Sequence, residues 1–303
     1  MREPNEADEI VASVRRLSGI SAERGPNDAY IFAAVEGFAG QFDFWYTRVM
    51  RDAVTGYREL IIKRINPFIR RIDFEGFGPI QAASKLVDDY NARNFVTAGG
   101  WALEALAVHI SASAQKSTAA GIDLQRVDPT TGDYHLYVLK SGLVTRNSDI
   151  LSSLKRNARQ AEKLLRQGNS KTNVHAHYAI VAGKTESSFE DGISRLSSGE
   201  FWSHMTDLPE LEAIDLVLAV AAEAGRLVRR DASDHIEAMK LLICDYIAMR
   251  DDSGVVDWEF LARRNMQTRS SWRHEDLERH RHALRSLMDT GYRPVLTKRE
   301  FRE

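Results

Sequence analysis

The 303-residue chain holds one cysteine, Cys244, so it can form neither an internal disulfide nor a zinc site of cysteine type, and it fits a reducing cytoplasm. No apolar run approaches the roughly 18 to 20 residues that span a bilayer. The acidic start MREPNEADEI does not read as a signal peptide. An excess of one charge is also missing. Lys and Arg number 41 against 43 Asp and Glu, a formal charge of −2, so any surface for a polyanion has to be local. Internal repeats and low-complexity tracts are absent. What remains is an ordinary globular composition, long enough for one elaborated domain or two small ones.

The stretch 121–142, GIDLQRVDPTTGDYHLYVLKSG, reads as a β-hairpin. Residues 122–127 alternate apolar with polar, 128–132 supply turn residues, and 134–139 are rich in aromatic and branched side chains. In that register Asp123 comes close to Lys140 at the open end. An acid and an ammonium placed there, followed by small Ser141 and Gly142, suit a hard divalent cation and a phosphate. A solvated surface pair worth under about 1 kcal/mol is the other reading of the same two residues.

Around the hairpin lie seven blocks in order: KRINPF (63–68), WALEALAVHI (101–110), QKSTAAGIDL (115–124), YVLKSG (137–142), NSDI (147–150), SSGEFWSHM (197–205) and VVDWEFLARRN (255–265). On these blocks the chain, over roughly residues 58 to 266, resembles the PmeII family of type II restriction endonucleases in the PD-(D/E)xK superfamily. The resemblance implies a Mg²⁺-dependent enzyme that cuts double-stranded DNA, expected as a restriction or phage-defence enzyme working as a homodimer. It implies an α/β fold: a PD-(D/E)xK restriction-endonuclease-like core, a small mixed sheet flanked by helices, with helical N- and C-terminal regions. The expected division is a helical region over 1–95, a nuclease core over 96–207 and a helical region over 208–303 packed on that core.

By the same resemblance Asp123 holds Mg²⁺, Glu104 on the preceding helix holds it directly or through water, the carbonyl of Leu139 adds a ligand, and Lys140 acts on the attacking water. Periodicity alone leaves Glu104 at the edge of the apolar stripe of its helix, where a surface role is equally open. Two positions depart from the pattern. Val138 stands where the superfamily has an acid two residues before the Lys. Gln125 stands where the PmeII enzymes carry a compensating acid, and it offers a carbonyl oxygen with one negative charge fewer. A nuclease-derived protein that binds DNA or a partner without cutting is therefore the alternative.

Elsewhere, helices are expected over 5–18, 29–65, 80–90 and 101–112, with a loop between the last two opening on Gly99 and Gly100. Phe38, Phe42, Phe44, Trp45 and Tyr46 are expected in a core. A helix over 149–167 has an apolar stripe including Leu154, Ala158, Ala161 and Leu164, and 154–171 carries six basic residues against the one acid Glu162. That face either is solvated or follows a phosphate backbone, with Ser141, Arg146, Asn147, Lys155 and Arg159 as candidate DNA contacts. A buried strand over 175–182 places His175 and His177 on one face, with no third metal ligand nearby by spacing. Phe201 and Trp202 are expected core anchors, followed by helices over 208–230, 238–249, 255–263 and 270–290.

Overall fold

The structure is a computed structural model that describes residues 4–141, 148–168, 173–183, 186–190, 192–228, 232–267 and 272–293. It forms two compact units, each assembled from separated segments: Met1–Phe42 with Gly99–Val228, and Asp43–Ala98 with Arg229–Glu303. The chain passes between them inside two long helices, α2 (Asp28–Leu60) and α4 (Pro79–Ile110). Helix α1 (Pro4–Ser18) precedes them, and α3 (Pro67–Asp73) lies between them after a 3₁₀ turn at Ile62–Arg64.

The first unit is built on a six-stranded mixed sheet. Strand β1 (Ala114–Lys116) pairs antiparallel with β2 (Leu124–Val127), which forms the expected hairpin with β3 (Tyr134–Ser141). Helix α5 (Ser148–Gly168) then crosses to β4 (Val174–Ala182), parallel to β3. The hairpin of β5 (Ser188–Glu190) and β6 (Ile193–Leu196) completes the order β1-β2-β3-β4-β6-β5, with β6 parallel to β4. Helices α6 (Ser198–Thr206) and α7 (Glu210–Leu227) follow. The expected small mixed sheet flanked by helices, with helical regions toward both ends of the chain, is what the chain forms.

Local chemistry explains the hairpin. The Asp128 carboxylate accepts the N–H groups of Thr130 and Thr131 at 2.7 and 3.0 Å, and Gly132, at φ +76°, closes the turn with its N–H on the Asp128 carbonyl. Register then follows from alternation: Leu124, Tyr137 and Leu139 face a core shared with α1, α4, α6 and α7, while Leu136 and Val138 face Leu154, Ala158 and Ala161 of α5. Phe201 and Trp202 are buried on the first of these faces, and the Trp202 indole N–H donates to the Val181 carbonyl at 2.9 Å.

The second unit is helical. The lower part of α2, α3, the first part of α4, α8 (Ala232–Ile247), α9 (Trp258–Met266) and α10 (Arg273–Asp289) enclose a core around Tyr57, Tyr246 and Phe260. The blocks singled out in the sequence act here as caps. Asn66 of KRINPF accepts the N–H groups of Phe68 and Ile69 and starts α3 with Pro67 at its first turn, and Asp257 of VVDWEFLARRN accepts the N–H of Phe260 and starts α9.

Three expectations fail. The loop between 90 and 99 is helix: Asn94 and Thr97 donate to the carbonyls of Tyr90 and Arg93 one turn back, and Phe95 sits edge-on to Tyr46 at 5.6 Å, so turn-forming residues are held in α4. The two glycines then lie within a helix already continuous on either side, where each costs about 1 kcal/mol. Phe44 is 52% exposed and not a core residue, because it lies on the outer side of its helix. Leu164, expected in the buried stripe of α5, is 58% exposed because the sheet covers that helix only as far as Ala161.

Candidate active site

Asp123 stands one residue before β2, not inside it. Its N–H donates to the Tyr137 carbonyl at 3.0 Å and its carboxylate accepts the N–H of Leu139 at 2.7 Å, so it lies opposite Val138. The loop in front is held close to α5: Gly121, at φ +71°, leaves room for the Asn157 amide, whose nitrogen would lie 2.1 Å from any Cβ there. On the other side Ser117 donates its N–H to the Asp123 carbonyl at 3.3 Å.

Glu104 projects from α4 with its side chain 17% exposed and pairs with the ammonium of Lys116 at 3.4 Å. Burial pushes its carboxyl above the usual carboxylate range; Lys116 opposes that rise and the charge of Asp123 adds to it. A poorly solvated carboxyl that also feels the charge of Asp123 is one whose ionised form a divalent cation would favour. Among the described residues no group of three or more His, Cys, Asp or Glu could hold a metal ion. Two carboxylates are nonetheless a donor set that suits Mg²⁺, which keeps several waters and completes its shell with substrate phosphate.

Lys140 is the seventh residue of β3, opposite Ile180 of β4, and alternation puts it on the α5 face with Leu136 and Val138. Among the described residues it has no ion-pair partner; the N–H of Leu139 meets the Asp123 carboxylate instead. Gln125, on β2, has its carbonyl oxygen 3.5 Å from the Ser117 hydroxyl. The strand register shifts between Lys140 and Ser141, so that Lys140 pairs with Ile180 and Ser141 with Ala182. Arg146 and Asn147, like the side chain of Ser141, lie outside the described residues. Arg159 is exposed on α5 and Lys155 half-buried, on the side away from Leu154 and Ala158.

Lys116 was missed by sequence reasoning. It lies on a three-residue edge strand too short to show a period, and its pairing with Glu104 spans two elements. A histidine cluster was also missed. His175 and His177 are joined by His135 from β3 and His204 from α6, with ring centroids 4.9 to 6.3 Å apart. His135 Nδ1 and His177 Nε2 lie 2.9 Å apart with ring planes within 12°, a hydrogen bond whose donor and acceptor depend on the tautomer. Burial, reinforced by neighbouring positive charge, holds the pKa of His135 down at about 4 and that of His177 at about 3.

Compared with known proteins, residues 42–226 match the family model described as type II restriction endonuclease EcoO109I, more than half of the chain. No curated protein matches.

Proposed function

The chain belongs to the EcoO109I family of type II restriction endonucleases, and from that premise we propose that it hydrolyses phosphodiester bonds of double-stranded DNA at a specific sequence with Mg²⁺. The observation that carries this reading is the Asp123 carboxylate held by the N–H of Leu139, the residue before Lys140, with the partly buried carboxyl of Glu104 raised in part by the Asp123 charge. Kinship with the PmeII enzymes in particular has only the seven sequence blocks in its support, since the matching family model is that of EcoO109I.

In this reading Asp123 and Glu104 would hold Mg²⁺, with the Leu139 carbonyl as a further oxygen ligand. When bound, the cation supplies charge neutralisation at the scissile phosphate and lowers the pKa of water. The Leu139 N–H fixes the orientation of the Asp123 carboxylate. Lys140, free of any carboxylate partner among the described residues, orients the attacking water and takes part in its deprotonation. Lys116, 71% exposed, pairs with Glu104 and opposes the rise that burial imposes on its carboxyl. The basic face of α5, with exposed Arg159 and half-buried Lys155, follows the phosphate backbone, joined by Ser141, Arg146 and Asn147. Cutting both strands of a symmetric site is most simply done by two copies of the chain about a two-fold axis, in a restriction or phage-defence role.

A non-cutting DNA-binding or partner-binding role is favoured by two positions: Val138, opposite Asp123, places an apolar side chain where the superfamily has an acid, and Gln125 lacks the charge of a compensating acid. A plasmid incubated with the protein in Mg²⁺ and in a chelator, with the ends then sequenced, separates the readings. Discrete fragments sharing one end sequence, formed only with Mg²⁺, are the expected result; DNA bound but left intact supports the alternative.

A further inference from the structure

KRINPF caps α3, but its arginine is not used by the cleavage chemistry. Arg64 lies at the end of the 3₁₀ turn, exposed, and lines a pocket of about 120 Å³ in the helical unit together with Arg70 of α3 and Arg93 of α4. Leu60, Ile61, Ile65 and Leu86 form its apolar part, and Tyr90 its polar side.

The three guanidinium groups are held differently. Arg70 is fixed between two carboxylates, donating to Asp73 at 2.7 Å and to Asp89 at 2.8 Å. Arg93 lies over the Tyr90 ring at 5.7 Å. Neither Arg64 nor Arg93 has a carboxylate partner among the described residues, and both charges act on the Tyr90 hydroxyl, drawing its pKa down against a larger rise from burial. Three cations around one small pocket, with Asp89 the one acid lining it, repel one another unless an anion enters. Guanidinium forks match the paired oxygens of a phosphate.

We propose that this pocket takes a phosphate group, gripped by Arg64 and Arg93 and oriented by the fixed fork of Arg70. That the phosphate is one of the DNA backbone rests on the proposed function; the pocket's preference for a phosphate does not.

The test compares the full chain with the double variant Arg64→Gln/Arg93→Gln, in which both altered side chains are exposed and circular dichroism confirms the fold. Duplex binding is followed against salt in a chelator, and inorganic phosphate binding by calorimetry. If the pocket holds a backbone phosphate, the salt slope of the variant is shallower by about one to two phosphate contacts and phosphate binding is lost. An unchanged slope with phosphate bound by the wild type and lost in the variant also supports the site, and assigns it to a free phosphate or nucleotide. An unchanged slope together with equal or absent phosphate binding in both proteins overturns it. Wild-type protein that binds no DNA counts against the proposed function, while the phosphate arm still decides the pocket.

Discussion

Asp123 bonds to the main chain on both sides of Val138, donating its N–H to the Tyr137 carbonyl and accepting the Leu139 N–H on its carboxylate at 2.7 Å. The acid is thus tied to the strand that carries Lys140 by a charge-assisted bond that sets its direction.

Replacing Asp123 by Asn removes one of the two charges proposed to hold Mg²⁺ while keeping the shape and an oxygen for the Leu139 N–H. Calorimetry is expected to show Mg²⁺ affinity reduced by at least about tenfold, since ligand charge sets affinity for a hard cation. Affinity equal to wild type would remove Asp123 from the site.

Gln125→Glu restores a charge at a position that the strand alternation places on the same face as Val138 and Lys140. Cleavage is expected to reach half-maximum at lower Mg²⁺. An unchanged Mg²⁺ titration would mean that Gln125 is no ligand.

The histidine cluster gives unit one a pH dependence of definite sign. His177 is 5% exposed with its pKa held down at about 3, whereas in the unfolded chain it takes a proton near about 6.5. Its contribution is fully present above that higher value and is lost as pH falls toward about 3, on the order of 1 kcal/mol per pH unit. Urea unfolding at about pH 7.5 and about pH 5 is expected to show a smaller acid loss for His177→Gln than for wild type; equal losses would contradict the assignment.

In the helical unit Asp276 holds two guanidinium groups, Arg264 at 2.8 Å and Arg58 at 2.7 Å, and accepts the Tyr246 hydroxyl. Arg264 is 2% exposed, so Asp276→Ala leaves a buried charge without its main partner and is expected to cost about 3–5 kcal/mol in thermal or urea unfolding. A loss below about 1 kcal/mol would show that the network relaxes around the gap.

What was legible in the sequence was local. The turn at Asp128 and Gly132 fixes the hairpin through side-chain bonds two and three residues long, and Trp202 declares itself by its size and its place after the Ser197 cap. Pairings between distant segments were not legible: Lys116 meets Glu104 from another element, and His135, His177 and His204 arrive from three. Three-residue strands such as β1 and β5 carry too few residues to show alternation. The helix through Asn91 to Gly100 was hidden because its support, Tyr46 against Phe95 and Asn91, is tertiary.

The central claim is that Lys140 acts on the water at a carboxylate site that cuts DNA. Its most direct test is the rate of plasmid cleavage in Mg²⁺ by Lys140→Ala against wild type, with duplex binding measured alongside. A loss of about 10²- to 10⁴-fold in rate with binding nearly unchanged is the expected result; a Lys140→Ala protein that cuts at the wild-type rate would contradict it.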